Sequence, residues 1–241
     1  MKGVILAGGM GTRLHPITRV TNKHLLPVYD KPMLFYPILT MADAGIKEVM
    51  VILGGNSVGD IVNLLGSGKE WGIDITYRLQ DEAGGIAQAL GLTRSFFQPG
   101  DSMCVILGDN IVDFSIKPAV ESFEASDKKA WLLLKKVPDP ERFGVAGFDE
   151  KGEINQIIEK PKDPPSDMIV TGIYMYRHEV FNVVDTLKPS GRGELEISHV
   201  NDYYVKRGEC GWDECPGEWT DAGTFESLQH ASKLIAGDLD Q

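Results

Sequence analysis

The chain has 241 residues, 42% hydrophobic and 24% charged, which is enough apolar material to bury one sizeable core without staples. No stretch approaches the roughly 18 consecutive apolar residues of a membrane span, and the apolar start Val4-Ile5-Leu6-Ala7 runs into Gly8-Gly9 instead of a signal-peptide core. A formal charge of −11 argues against a sequence-independent grip on nucleic acid, and Cys104, Cys210 and Cys215 make no zinc ligand set, so a reduced, cytoplasmic, single-domain protein is expected.

Short β-branched runs alternate with amphipathic stretches, the pattern of an α/β sheet flanked by helices. Lys2–Ala7 reads as a buried strand that empties into Gly8-Gly9-Met10-Gly11-Thr12-Arg13. Glycines there let backbone N–H groups approach an anion, and Arg13 adds a cation that pH does not remove; a Gly-rich structural turn is the competing reading. The loop lacks the Lys-Ser/Thr of a Walker A motif, and Leu14 stands where a Rossmann fingerprint needs its third glycine. Pro16 disfavours a regular helix there. Lys23 sits one short loop further on, placed to give a polyphosphate a second point charge.

A helix is expected over Pro32–Ala44, with Leu34, Ile38 and Met41 on one face and Pro37 kinking or delaying it. Then come a strand over Glu48–Leu53, a helix over Val58–Leu65, a strand over Asp74–Leu79 and a helix over Ile86–Phe96. The buried strand Met103–Leu107 ends at Gly108-Asp109-Asn110, where open α/β sheets hold their ligands. Asp109 there, and Asp221 in Trp219-Thr220-Asp221-Ala222-Gly223, read either as turn or helix caps or as carboxylates for a hard divalent cation. The strands Trp131–Val137, Gly144–Phe148, Ile154–Glu159 and Ile169–Tyr176 leave little room for helices and read as a mixed or antiparallel extension of the sheet. Helices over Glu196–Lys206 and Thr224–Ala236 follow, the second with Phe225, Leu228, Ala231 and Ile235 on one side.

The loop Gly8-Gly9-x-Gly11-Thr12-Arg13-Leu14-x-Pro16, Lys23, Leu25-Leu26-Pro27-Val28 and Lys31-Pro32-Met33 together resemble the sugar-phosphate nucleotidyltransferase family, most of all its glucose-1-phosphate thymidylyltransferase branch. The similarity continues through Gln80, Gly85-Ile-Ala-Gln-Ala89, Asp109-Asn110, Phe143-Gly144-Val145, Glu159-Lys160-Pro161, Thr171-Gly172, Arg192-Gly-Glu-Leu-Glu-Ile197 and Trp219–Gly223, almost the whole chain. It implies a Rossmann-like, mainly parallel sheet flanked by helices, with a nucleotide-binding part over about residues 1–128 and a sugar-binding part with a small antiparallel extension over about residues 129–241.

The resemblance also implies the reaction, transfer of a thymidylyl group from dTTP to glucose 1-phosphate with release of pyrophosphate, at the head of dTDP-rhamnose and related deoxysugar synthesis. Nucleotide contacts would come from Leu6, Ala7, Gly8, Gly9, Gly11, Thr12, Arg13, Lys23, Gln80, Gly85 and Asp109. Sugar-phosphate contacts would come from Asn110, Gly144, Glu159, Lys160, Gly172 and Asp221. Arg13, Lys23 and Lys160 would be catalytic, and Asp109 and Asp221 would hold Mg²⁺. Gln80 and Gly85 would read a thymine or uracil edge, which leaves a UTP-dependent enzyme as the rival; a noncatalytic nucleotide-sugar-binding protein is the rival of another class. Two positions depart from the family pattern: Phe143 replaces a tyrosine, and Ala83-Gly84-Gly85 replaces Pro-Asp-Gly. The expected assembly is a homo-oligomer, dimer or tetramer, without nucleic acid or membrane partners. Because long relatives carry C-terminal helices beyond Gln241, weak or absent allosteric control is expected, the acidic Gly237–Gln241 offering no second nucleotide-sugar site.

Overall fold

A computed structural model describes Met1–Gly237; the tail over 238–241, on which the expectation about a second site partly rests, lies outside the described residues. Internal contacts group the chain into two compact units, one of Met1–Ala83, Val105–Lys117 and the chain from Pro216 on, the other of Gly84–Cys104 and Pro118–Cys215.

In the first unit the strands Lys2–Ala7, Glu48–Leu53 and Asp74–Leu79 run parallel, with Ala7 opposite Leu53 and Leu53 opposite Leu79. Nearly continuous apolar runs form the first two because both faces are covered, Val4, Ile5, Val49, Val51, Ile52 and Leu53 being fully buried, whereas Asp74–Leu79 at the sheet edge buries only Ile75. The register makes all three strands end together, so Gly8, Gly54 and Gln80 emerge side by side. The strand Ser102–Leu107 lies on the other side of Lys2–Ala7, and Gly108 N–H donates to the Leu6 carbonyl at 2.9 Å. Gly108-Asp109 therefore leaves the sheet at the same edge.

The glycine loop continues as two 3₁₀ turns, Thr12–Leu14 and Ile17–Arg19, with no α-helix, as Pro16 requires. The expected helix over Pro32–Ala44 begins later, at Phe35, and runs to Asp43. Its first residues are taken by a hairpin that pairs Pro27 with Pro32 and Val28 with Lys31. Pro37 then sits in the first turn, where a missing N–H costs nothing. The short strands Asn110–Val112 and Trp219–Asp221 pair antiparallel, Asp221 opposite Asn110. The helix Phe225–Ala236 starts from a capping box in which Thr224 Oγ1 accepts from Ser227 N–H and Ser227 Oγ from Thr224 N–H. Ala231 packs with Leu14, Val28, Met33 and Ile111, and Leu228 and Ile235 flank them, but Phe225 at the first turn stays 42% exposed.

In the second unit, Met168–Arg177 pairs antiparallel with Ala130–Lys136 and touches Gly144–Phe148 through Ile169 and Val145. Gly144–Phe148 and Ile154–Glu159 form an antiparallel hairpin. Of the two alternatives, mixed or antiparallel, this half is mixed: Cys210–Glu214, a strand that sequence reading missed, lies parallel beside Ala130–Lys136. The helix expected over Ile86–Phe96 stops at Gly91 and resumes as a 3₁₀ turn over Arg94–Phe96, Thr93 Oγ1 having bonded back to the Leu90 carbonyl at 2.7 Å. Short helices over Lys117–Ala125 and Val180–Val184 were also not anticipated. Ile197–Val205 anchors the hairpin through Asp202 Oδ1, which accepts from Ile157 N–H at 3.0 Å, and Met168–Arg177 through Asn201 Oδ1, which accepts from Tyr176 Oη at 2.5 Å. All three cysteines are free and buried, and burial pushes each thiol up to about 12.

Candidate active site

The glycine loop of the first unit is tight at Gly8 and Gly11 and at Gly54 beside it. A Cβ on Gly8 would overlap the Gln80 amide oxygen, and one on Gly54 would lie 2.7 Å from the Gly8 carbonyl oxygen. Gly11 sits at φ +64° with the Lys23 stem where its side chain would be. Leu14 and His15 N–H groups bond back to the Gly11 and Thr12 carbonyls, whereas those of Gly9 to Thr12 meet no backbone carbonyl among the described residues. Such a run of free N–H groups is an anion cradle. Leu6 and Ala7, in the strand before it, are buried and can offer only backbone.

Lys23 crosses the cradle. Its ammonium would lie 3.7 Å from a Cβ on Gly9 and ends on Asp109 Oδ2 at 2.5 Å. The other Asp109 oxygen accepts from the Asn110 amide at 3.1 Å, and Asn110 Oδ1 accepts from the Trp219 indole at 2.6 Å. Burial alone would raise the Asp109 carboxyl; the Lys23 charge and hydrogen bond, with help from Asn110, hold it well below the usual carboxylate range. Asp109 is thus a buried carboxylate that its partners favour in the ionised form.

Asp221 is carried to the same place by strand pairing, because it stands opposite Asn110 and Ala222 N–H donates to the Asp109 carbonyl at 2.8 Å. A Cβ on Gly223 would meet Arg13 Nη2 at 2.7 Å and Asp221 Oδ2 at 3.1 Å, so the Arg13 guanidinium and the Asp221 carboxylate flank one glycine. The first unit therefore gathers Gly8 to Arg13, Lys23, Gln80, Asp109, Asn110 and Asp221.

Two residues beside Lys23 were not singled out from sequence. Asn22 Oδ1 accepts from the backbone and ring Nδ1 of His24 at 3.0 and 2.8 Å, and Asn22 Nδ2 donates to the Gly54 and Asn56 carbonyls at 3.1 and 3.0 Å. Carbonyls only accept, so the amide orientation is forced and the His24 proton sits on Nδ1. Burial, then the Lys23 charge, lowers His24 to about 3, so it is neutral. Its ring fills the space beside Gly108, where a Cβ would come within 2.8 Å. An Asn accepting from the N–H two residues on is a capping signal that sequence carries, but its long-range half is not.

In the second unit Glu159 is the centre. Arg192 Nη2 reaches its Oε1 at 3.1 Å and Lys160 Nζ at 3.7 Å, and a Cβ on Gly144 would sit 3.6 Å from its other oxygen. Arg192, quoted above only as part of a motif, also bonds the buried Glu196 at 2.8 Å. Lys160 adopts φ +44° while its N–H donates to the Phe143 carbonyl, which turns the chain sharply after Glu159. The Ser198 side chain closes the third side of Gly144, 3.7 Å away from the same Cβ position. Gly172 is buried in Met168–Arg177 where the register against Ala130–Lys136 shifts. Gly85, at φ +99°, packs on the Leu195 backbone, which would lie 2.5 Å from its Cβ. This unit groups Gly144, Glu159 and Lys160, and Gly85 adjoins Glu194 and Leu195.

Residues 2–237 match the Nucleotidyl transferase family. The chain is 42% identical over 239 residues to a glucose-1-phosphate thymidylyltransferase of Neisseria meningitidis, covering 98% of this chain and 82% of the relative. It is 53% identical, with TM-score 0.92 over 97% of this chain and 94% of the other, to a crystallised Bacillus anthracis protein described provisionally as a glucose-1-phosphate thymidylyltransferase and holding a sucrose. A UDP-glucose pyrophosphorylase complexed with UDP-glucose, 24% identical with TM-score 0.84 over 98% of each chain, shares the fold. By family match, identity and fold, the chain belongs to the nucleotidyl transferase family, in its glucose-1-phosphate thymidylyltransferase branch.

Proposed function

We propose that the protein transfers a thymidylyl group from dTTP to glucose 1-phosphate, releasing pyrophosphate and forming dTDP-glucose. The observation that carries the reading is the convergence, at one edge of the parallel sheet, of a glycine cradle with the Lys23–Asp109 pair and with Arg13 beside Asp221. The sugar phosphate oxygen attacks the α-phosphorus in line, and the bond to the departing pyrophosphate breaks. A phosphate nucleophile is already ionised at neutral pH, so no general base is needed and catalysis is positioning and charge neutralisation.

In this reading the cradle N–H groups and Lys23 hold the polyphosphate, and Arg13 meets the charge that develops on the leaving group. Gln80 pairs with the pyrimidine edge over Gly8. Lys160 holds the phosphate of the sugar substrate, and Glu159, kept in place by Arg192, accepts from sugar hydroxyls beside Gly144, with Gly172 as a further sugar-site position. Asp109 and Asp221 fit Mg²⁺ by donor chemistry: two carboxylates, one just before Asn110 and the other paired opposite it, offer hard oxygens, and such an ion takes its remaining ligands from substrate and water. When bound, the ion would supply neutralisation of phosphate charge.

The test is pyrophosphate release measured for each pairing of dTTP, UTP, ATP and GTP with several hexose 1-phosphates. The pair dTTP and glucose 1-phosphate is expected to give the highest kcat/KM. Release with no pair would favour a binding protein, and a higher kcat/KM with UTP would make it a uridylyltransferase.

A further inference from the structure

The two ends of the nucleotide site are built on different segments, one holding Gly8 and Gln80 and the other Lys23 and Asp109. One buried side chain ties them. Asn22, only 4% exposed, uses its full hydrogen-bonding capacity, two bonds accepted and two donated. Its donor half holds the Gly54 and Asn56 carbonyls. Gly54 is wedged against Gly8 and Gln80, so close that a Cβ would come within 2.7 Å of the Gly8 oxygen and 3.2 Å of the Gln80 oxygen. Its acceptor half holds His24, whose ring lies against Gly108, the residue before Asp109. Lys23, between Asn22 and His24, completes the bridge by its bond to Asp109 at 2.5 Å.

We propose that Asn22 is a positioning residue that sets the register between the base-reading and phosphate-holding ends of the nucleotide site. The inference rests on the nucleotidyl-transfer reading above. Asn22 touches neither base nor phosphate in this scheme; it fixes the distance between the groups that do. The consequence is specific: each end should still bind its own fragment when Asn22 is changed, but a nucleotide spanning both ends should lose the advantage of being held at two matched points. A misplacement on the scale of 1 Å costs about 10²-fold in a positioned reaction.

The experiment compares wild type with Asn22→Ala and Asn22→Asp. The carboxylate of the second variant keeps oxygens for His24 and removes the donors to Gly54 and Asn56. For each protein, kcat/KM for dTTP at saturating glucose 1-phosphate is measured, with dissociation constants for dTMP and for pyrophosphate and the melting temperature. The expected result is a fall in kcat/KM of about 10- to 100-fold in both variants, with dTMP and pyrophosphate affinities within about twofold of wild type. The proposal is overturned if kcat/KM stays within about twofold in either variant, or if both fragment affinities fall in step with it, which is the signature of general loosening. Should Asn22→Ala fail to fold, Asn22→Ser, which keeps one donor and its acceptors, takes its place. Failure of the functional reading is visible separately, as absence of dTTP turnover in wild type; the Asn22 comparison is then judged on the triphosphate that wild type does bind and its own monophosphate.

Discussion

The Lys23 and Asp109 side chains are each 12% exposed and meet at 2.5 Å, whereas Arg192 and Lys160 hold Glu159 from side chains 44% and 46% exposed, at 3.1 and 3.7 Å. The first cluster is fixed by its surroundings: Asn110, the paired strands and the His24 ring against Gly108 leave the carboxylate one place to be. The second is held mainly by its own members on a strand end, in solvent that screens it. Exposed pairs of that kind contribute about 0–1 kcal/mol to stability, so their value lies in what they can release to a ligand. A buried, prearranged charge site suits the step where charge develops, and an adjustable one suits recognition of a polar substrate.

The largest effects should come from the two carboxylates assigned to the metal. Asp109→Asn is expected to cut kcat by two or more orders of magnitude at saturating Mg²⁺, on the scale of losing a transition-state charge contact, with the far-UV spectrum unchanged; Asp221→Asn should do the same. Steady-state pyrophosphate release checks both, and near-normal turnover in either would remove that residue from the metal site.

Base recognition should be more moderate. Gln80→Glu replaces an amide donor by a second acceptor and adds repulsion, so KM for dTTP should rise by about tenfold, read from initial rates. An unchanged KM means that Gln80 does not read the base. Its amide cannot sense the thymine methyl, and a methyl contact supplies about 1–3 kcal/mol, so measurable UTP use is expected.

The smallest effect concerns stability in acid. His24 is lowered from 6.5 to about 3 by burial and then by Lys23, so the unfolded chain takes up a proton that the folded chain refuses. This contribution is fully present above pH 6.5 and is lost progressively as pH falls from there towards 3. Between pH 6.5 and 5 the loss amounts to about 2 kcal/mol. His24→Gln should flatten that part of the profile, measured by urea unfolding at pH 7 and pH 5; equal slopes in both proteins would assign the acid sensitivity elsewhere.

What sequence reveals of this molecule follows the range of the forces involved. Strands whose apolar runs are buried on both faces, such as Lys2–Ala7 and Glu48–Leu53, are found at their observed limits. The loop after Ala7 is legible because glycine has one physical use at such a turn. The helix start at Phe35 is not, since it depends on Pro27 pairing with Pro32 across a hairpin. Phe225 misleads because a helical face is periodic while the first turn projects beyond the core it packs on. Asn22 and Arg192 act through partners 32 to 34 residues away in sequence, and no local pattern announces such a contact.

The division of labour between the two regions can be measured at one point, by comparing Arg13→Ala with Lys160→Ala as glucose 1-phosphate is raised to saturation. Arg13, beside Asp221, is assigned to charge that develops in the reaction, and Lys160, beside Glu159, to a phosphate bound before it. The account predicts that saturating sugar phosphate restores kcat in Lys160→Ala to within about threefold of wild type while Arg13→Ala stays down by about 10². Equal recovery of the two variants, or recovery of Arg13→Ala alone, would contradict it.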